Sequence, residues 1–409
     1  MPAPRSWDVF CRVVDNFGDA AVCWRLARAL ATLPGVENRG LTRLWIDDLA
    51  VLQALQPAVV PGQQRQSVGG VEVCHWVEGA AFGAPADVVV DAFGAGLPDA
   101  YANAMAARHP SSLWIVLEYL SAEPWVDAHH GLPSPHPRLP LERYFFFPGF
   151  GPGTGGLLRE PELSARREDF LRQPQRREAL WRAAGFAPPE REATVVSLFG
   201  YENPAVAELL EAWASSAQPV VAAVSQSRLG DDVAACLMLG VGSEGTGGTA
   251  GASTAASRIG RTLRRGALEV RFLPFLAQDR YDELLWAADW NFVRGEDSFV
   301  RAQWAERPFV WQAYPQSEGA HRVKLEAFLA AYCKGLAPAL AAPLSALWRG
   351  WNDSQAPVGT VVRAWSALTC VSTAESAALG RHAHAWAAEA ARAGDLTRNL
   401  VNFCAKQLE

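Results

Sequence analysis

At 409 residues, half of them hydrophobic and a fifth charged, the chain is too long for one ordinary core and has the composition to bury two. A net charge of −6 argues against a nucleic-acid partner and an anionic membrane surface, and leaves room for a cationic partner. Met1 to Ser6 opens no basic-then-apolar leader, and no apolar run reaches the ~18 residues of a membrane span, so the sequence reads as cytoplasmic.

Short apolar runs in the first half read as strands at Val9–Val14, Leu41–Ile46, Val71–Trp76, Val88–Val90, Leu113–Leu117 and Tyr144–Phe147. Helical periodicity marks Ala20–Ala31 and Tyr101–Ala107. A charged, Pro-punctuated connector at Arg159–Glu192 separates this series from a second. Its strands are expected at Thr194–Phe199, Val220–Val224, Leu268–Leu273, Trp290–Val293 and Phe309–Trp311. Its helices are expected at Val206–Trp213, Tyr281–Ala288, Phe299–Ala305 and Ala320–Tyr332. Alternation of this kind predicts α/β architecture, parallel sheets covered by helices, with an N-terminal domain over 1–165 and a C-terminal one over 166–384. The Ala-rich end, 385–409, reads as closing helices, and Gly240–Ala256 as a surface loop that buries nothing.

Ligands of open parallel sheets sit beyond the carboxyl ends of the strands, which directs attention to two loops. VVDNFGD, Val13–Asp19, brings two carboxylates four residues apart to the end of the first strand. Asp19 there is either a helix cap accepting the Val22 amide or, with Asp15, a group that binds a cation and accepts a proton. In VRGEDS, residues 293–298, Arg294 and the first amides of a helix suit a phosphate. Glu296 in that company suits a cation or a sugar hydroxyl. The plainer alternative is that Asp297 or Ser298 caps the helix and Arg294 pairs with a surface carboxylate. GPGTGG at 151–156 matches a dinucleotide pattern but has Pro161 too close behind it for the long helix such a site requires. The seven cysteines form no CxxC pair, and His129, His130 and His136 lack metal spacing, so neither a metal nor a disulfide framework is expected.

DVFCRVVDNFGDAAVCWRLARAL (8–30), LEYLSAEPWVDAHHGLPSPHPRLPLERYFFFPGF (117–150), TGGLLRE (154–160), SLFGYEN (197–203) and FVRGEDSFVRAQWAERPFVWQAYPQ (292–316) closely resemble the EarP family, protein-arginine rhamnosyltransferases acting on bacterial translation elongation factor P. The resemblance implies a GT-B fold of two facing Rossmann-like domains, the second binding the donor, with the last helices returning to the first. It implies inverting transfer of rhamnose from dTDP-β-L-rhamnose to an arginine of elongation factor P, with no metal or other cofactor. Carried over by matching motifs, Phe199, Phe275 and Tyr281 surround the thymine and Gln278 reads its edge. Tyr201, Arg294, Asp297, Ser298 and Tyr314 hold ribose and diphosphate. Asp15, Asp19 and Glu296 match the acidic residues critical to the reaction, and Asn16, Phe17 and Gly18 form the loop near the sugar. The chain departs from the family pattern at Tyr281, where Phe is usual, and at Ala20–Ala21, where Ile-Gly is usual. Residues 240–256 look like an insertion. A GT-B enzyme with another donor or acceptor, and a silent nucleotide-binding partner of the translation apparatus, are the competing readings.

Overall fold

The computed structural model describes residues 4–15, 17–33, 41–239, 258–316, 319–370 and 373–408. Asn16 and the loop 240–256 therefore lie outside the described residues. The chain divides into two compact units, one formed by residues 1–163 and 388–409, the other by 164–387.

Among the described residues, the first unit holds an eight-stranded sheet in the order β3-β4-β2-β1-β5-β6-β8-β7. The strands are β1 (Trp7–Cys11), β2 (Thr42–Ile46), β3 (Arg65–Val68), β4 (Val71–His75), β5 (Val88–Ala92), β6 (Leu113–Leu117), β7 (Pro133–Pro135) and β8 (Glu142–Phe146). The second unit holds β9 (Thr194–Leu198), β10 (Val220–Val224), β11 (Thr262–Arg265), β12 (Leu268–Phe272), β13 (Trp290–Arg294) and β14 (Phe309–Gln312). They form a six-stranded sheet ordered β11-β12-β10-β9-β13-β14. Pairing is parallel except for three edge hairpins, β3–β4, β7–β8 and β11–β12. The central strands are mostly apolar because helices cover both faces, and every residue of β1, β5, β6 and β10 is buried, Asp8 and Asp91 included.

Each sheet reverses its direction of growth at its first strand. β1 pairs with β2 on one side and with β5 on the other; β9 pairs with β10 and with β13. Those reversals open a crevice at the carboxyl ends of β1 and β9. VVDNFGD follows β1, SLFGYEN runs through the end of β9, and Arg294 ends the neighbouring β13.

The first strand stops sooner than its Val-Val sequence suggests, at Cys11 rather than Val14. The Val13 amide donates to Asp47 Oδ1 at 2.9 Å and the Val14 amide to Asp19 Oδ2 at 2.9 Å. Side-chain carboxylates have thus taken the donors that a longer ladder would have used.

One buried network ties the first sheet together. Asp8, on β1, accepts from Arg43 Nε (2.5 Å) and Nη2 (2.6 Å), Trp45 Nε1 (3.2 Å), the Ala86 amide (3.0 Å) and the Tyr101 hydroxyl. A charge this deep is tolerable because every lone pair is met and a cation is among the donors. The segment 155–157 is held by the end of the chain. Leu396 donates its amide to the Leu157 carbonyl (3.1 Å) and Asn399 Nδ2 to the Gly155 carbonyl (3.0 Å). Asp395 caps that last helix, Leu396–Gln407, by accepting the Thr397 and Arg398 amides.

Candidate functional site

In the first unit, a helix opens directly after the β1 loop at Gly18 and runs to Thr32. Asp19 lies inside its first turn. Its carboxylate does not accept the Val22 amide, as a cap would, but turns back over the loop. Oδ2 accepts the amides of Val14 (2.9 Å) and Asp15 (2.8 Å) and Oδ1 accepts the Tyr119 hydroxyl (3.3 Å). The helix begins without a side-chain cap, its N-cap position being Phe17. Gly18 must be glycine for a steric reason: its amide closes a turn on the Asp15 carbonyl (2.7 Å), and a Cβ there would stand 2.8 Å from Asp15 Oδ2. Asp15 and Asp19 are thereby held close on one tight turn, a local concentration of negative charge that suits a cationic ligand.

Asp91, the fourth residue of β5, is a further buried carboxyl near the end of the sheet. Burial raises it above the ordinary carboxylate range, partly offset by the Gly96 amide, which donates to Oδ1 at 3.0 Å.

In the second unit, Gly295, at φ +60°, turns the chain from β13 into the helix Asp297–Trp304. Glu296 is the N-cap residue by position but makes no side-chain cap. Ser298 latches the junction: its hydroxyl accepts the Arg294 amide (3.0 Å) and donates to the Arg294 carbonyl (2.5 Å). Neither Asp297 nor Ser298 caps the helix, and Ser298 gives its one proton to the backbone. The Trp311 indole ties down the Gly295 carbonyl at 2.7 Å.

With its backbone fixed, Arg294 lays its guanidinium over two aromatic faces, 4.7 Å from the Phe199 ring centre and 4.3 Å from that of Tyr201. Tyr201 packs edge-on against Tyr314, at 5.6 Å, and Phe199 edge-on against Tyr281, at 5.8 Å. Gly200, between Phe199 and Tyr201, leaves room for Leu229 and Gln312. A Cβ there would lie 2.6 Å from Leu229 Cδ2 and 2.8 Å from Gln312 Oε1, the atom that holds the Tyr201 amide at 2.9 Å. Phe275 lies in the loop after β12, half-buried, and Gln278 opens the helix Gln278–Ala287 from a buried position. The Tyr281 hydroxyl is enclosed, and burial pushes its ionisation upward, so it stays a neutral phenol.

Phe199, Tyr201, Tyr281, Arg294, Ser298 and Tyr314 are thus one contiguous set. Glu296 and Asp297 stand at the helix start beside it. A planar cation on aromatic rings, next to the first amides of a helix, is chemistry for a diphosphate joined to a flat base. The sequence did not single out Tyr119 or its neighbour Phe93, which lie far from Asp19 along the chain. Their signal was position, just beyond the carboxyl ends of β6 and β5.

The family model of Elongation-Factor P (EF-P) rhamnosyltransferase EarP matches residues 7–405. A protein-arginine rhamnosyltransferase of Pseudomonas putida KT2440 is 45% identical over 401 residues, covering 97% of this chain and 98% of its own. One from Pseudomonas aeruginosa PAO1 is 42% identical over 403 residues, covering 98% of this chain and all of its own length. A solved structure described as the structural basis for EarP-mediated arginine glycosylation of translation elongation factor EF-P superimposes with a TM-score of 0.63 at 32% identity, over 98% of this chain and 99% of that one. The α/β fold is accordingly of the GT-B type. The chain belongs to the EarP family of protein-arginine rhamnosyltransferases.

Proposed function

We propose that this enzyme transfers L-rhamnose from dTDP-β-L-rhamnose to an arginine side chain of translation elongation factor P, with inversion and without a metal ion. The observation that carries the donor half is the Arg294 guanidinium poised over Phe199 and Tyr201 at a helix N-terminus. In this reading Phe199, Phe275 and Tyr281 enclose the thymine and Gln278 reads its edge, while Tyr201, Asp297 and Tyr314 bind ribose and diphosphate. Ser298 contributes by fixing the Arg294 backbone. Arg294 and the first helical amides neutralise the diphosphate as it leaves, the task a metal ion performs in other sugar transferases.

The acceptor half must make a nucleophile of a guanidinium, whose pKa above ~12 keeps it protonated. A carboxylate titrating near ~4 cannot deprotonate it beforehand. Asp19, with Asp15, grips the cation through charge-assisted hydrogen bonds and aims one nitrogen at the anomeric carbon. Glu296 adds a carboxylate for the same positive charge. As the C–N bond forms, the C–O bond to dTDP breaks and dTDP departs with its electron pair. The nitrogen becomes acidic late in that step and its proton passes to Asp19. Phe17 and Gly18 border the sugar, and attack from the face opposite the leaving group gives inversion.

Incubating the enzyme with elongation factor P and dTDP-β-L-rhamnose, then weighing the acceptor and mapping the modified residue, tests the whole reading. A rhamnose mass on one arginine is expected. An unmodified acceptor, or modification only with a different nucleotide sugar, refutes the assignment of donor and acceptor. Normal turnover in both Asp19→Asn and Glu296→Gln refutes the residue roles.

A further inference from the structure

β5 ends at Ala92, and the next residue, Phe93, holds φ +59°. A bulky L-residue adopts that left-handed conformation only at a cost. Gly94 (+65°) and Gly96 (+78°) continue the turn at no such cost. Glycine is thus the unstrained choice at 93 as well, and the chain instead carries a large ring. Strain persists where surroundings over-determine it, and the ring's placement is what the strain secures.

That placement is definite. The Phe93 amide donates to the Leu117 carbonyl at 2.7 Å. Its ring lies nearly flat on Tyr119, with centres 4.4 Å apart and planes 14° from parallel. Tyr119, two residues beyond β6, donates its hydroxyl to Asp19 Oδ1 at 3.3 Å. Two amides already pin the other oxygen, Oδ2, so the carboxylate can only swing Oδ1 about that anchor, and the phenol limits the swing. The bond is longer than the ~2.7–2.8 Å usual between hydroxyl and oxygen, which leaves Oδ1 steered and still able to accept a stronger donor.

We propose that Tyr119, stacked on the strained Phe93, is a positioning residue that directs Asp19 Oδ1 toward the incoming guanidinium. The proposal rests on the reading that Asp19 grips the acceptor and takes its proton. Tyr119 acts through Asp19 and needs no contact with the sugar or with dTDP.

The test is a double-mutant cycle on the full-length enzyme, with turnover read by mass spectrometry of elongation factor P. Tyr119→Phe keeps the stacked ring and removes only the hydroxyl. Its kcat is expected to fall about 10- to 100-fold, the effect of one hydrogen bond to a charged acceptor, while donor KM and melting temperature stay unchanged. In the double variant, Tyr119→Phe should add no further loss to Asp19→Asn, because the phenol then has no carboxylate to steer. Phe93→Gly, which relieves the strain and removes the ring, should lower kcat without lowering the melting temperature. Undiminished kcat in Tyr119→Phe while Asp19→Asn is slow, or penalties that multiply in the double variant, overturns the proposal and leaves the Asp19 reading intact. Full activity in Asp19→Asn overturns both, and that single variant tells the two failures apart.

Discussion

Asp8 and Asp19 are two almost fully buried aspartates of one unit, at 0% and 2% exposure, and they are held in opposite ways. Asp8, within β1, meets five donors, two of them on the Arg43 guanidinium. Asp19, in the first turn of the helix that follows the same strand, meets two backbone amides and a phenol, none of them charged. A carboxylate offers about four acceptor positions. The first aspartate is saturated and already neutralised; the second is oriented but retains both acceptor capacity and net charge. Burial and residue type do not separate these two carboxylates, whereas the charge of their donors does.

The sharpest way to break this comparison is to neutralise each carboxylate in turn. Asp19→Asn is expected to cost about 10²- to 10⁴-fold in turnover, the range for a positioned proton acceptor, with the unfolding midpoint nearly unchanged. Single-turnover kinetics beside urea denaturation reads both, and a stability loss without a rate loss erases the distinction. Asp8→Ala should do the reverse. It leaves Arg43 buried and uncompensated, at about 3–5 kcal/mol, measurable as a lowered urea midpoint, while the folded fraction keeps its specific activity.

Arg294→Ala carries the comparison to the second unit, where the role proposed for the charged group is to meet an anion. Calorimetry should show dTDP affinity reduced about 10- to 100-fold, the worth of charged hydrogen bonds removed, and unchanged affinity removes Arg294 from the donor site. The smallest effect belongs to Asp91. Burial raises its folded pKa above the unfolded value, so its contribution to stability is present below the unfolded pKa and lost as pH rises through the folded one. Asp91→Asn keeps an acceptor for the Gly96 amide and should stabilise the protein slightly at neutral pH, with the gain vanishing in acid. Urea midpoints at two pH values decide it.

How much of this was legible in the sequence depends on whether the signal was local. The buried parallel strands announced themselves as continuous apolar runs, since both faces are covered. The edge strand Arg65–Val68, RQSV, did not, because its residues face solvent or a single neighbour and carry no apolar period. The first strand, expected to reach Val14, stops at Cys11 because Asp47 and Asp19 captured the amides of Val13 and Val14. One of those captures is long-range and the other local, and strand propensity registers neither. Asp19 was visible as a carboxylate in a strand-end loop, yet its true partners, the amides behind it and Tyr119, follow from the path of the chain. Arg294 stood out by its neighbours in sequence, but the rings beneath it, Phe199 and Tyr201, come from another strand end.

The terminal helix has a consequence for how the protein is made. Residues 388–409 complete the same unit as residues 1–163, with Leu396, Leu400 and Cys404 buried and Phe403 set against Tyr144 and Phe146. At ordinary synthesis rates these residues emerge roughly 10–50 s after residue 163. The nascent first unit must therefore wait with an apolar surface uncovered, while the second can finish on its own. Order of birth and order of completion are inverted in this chain.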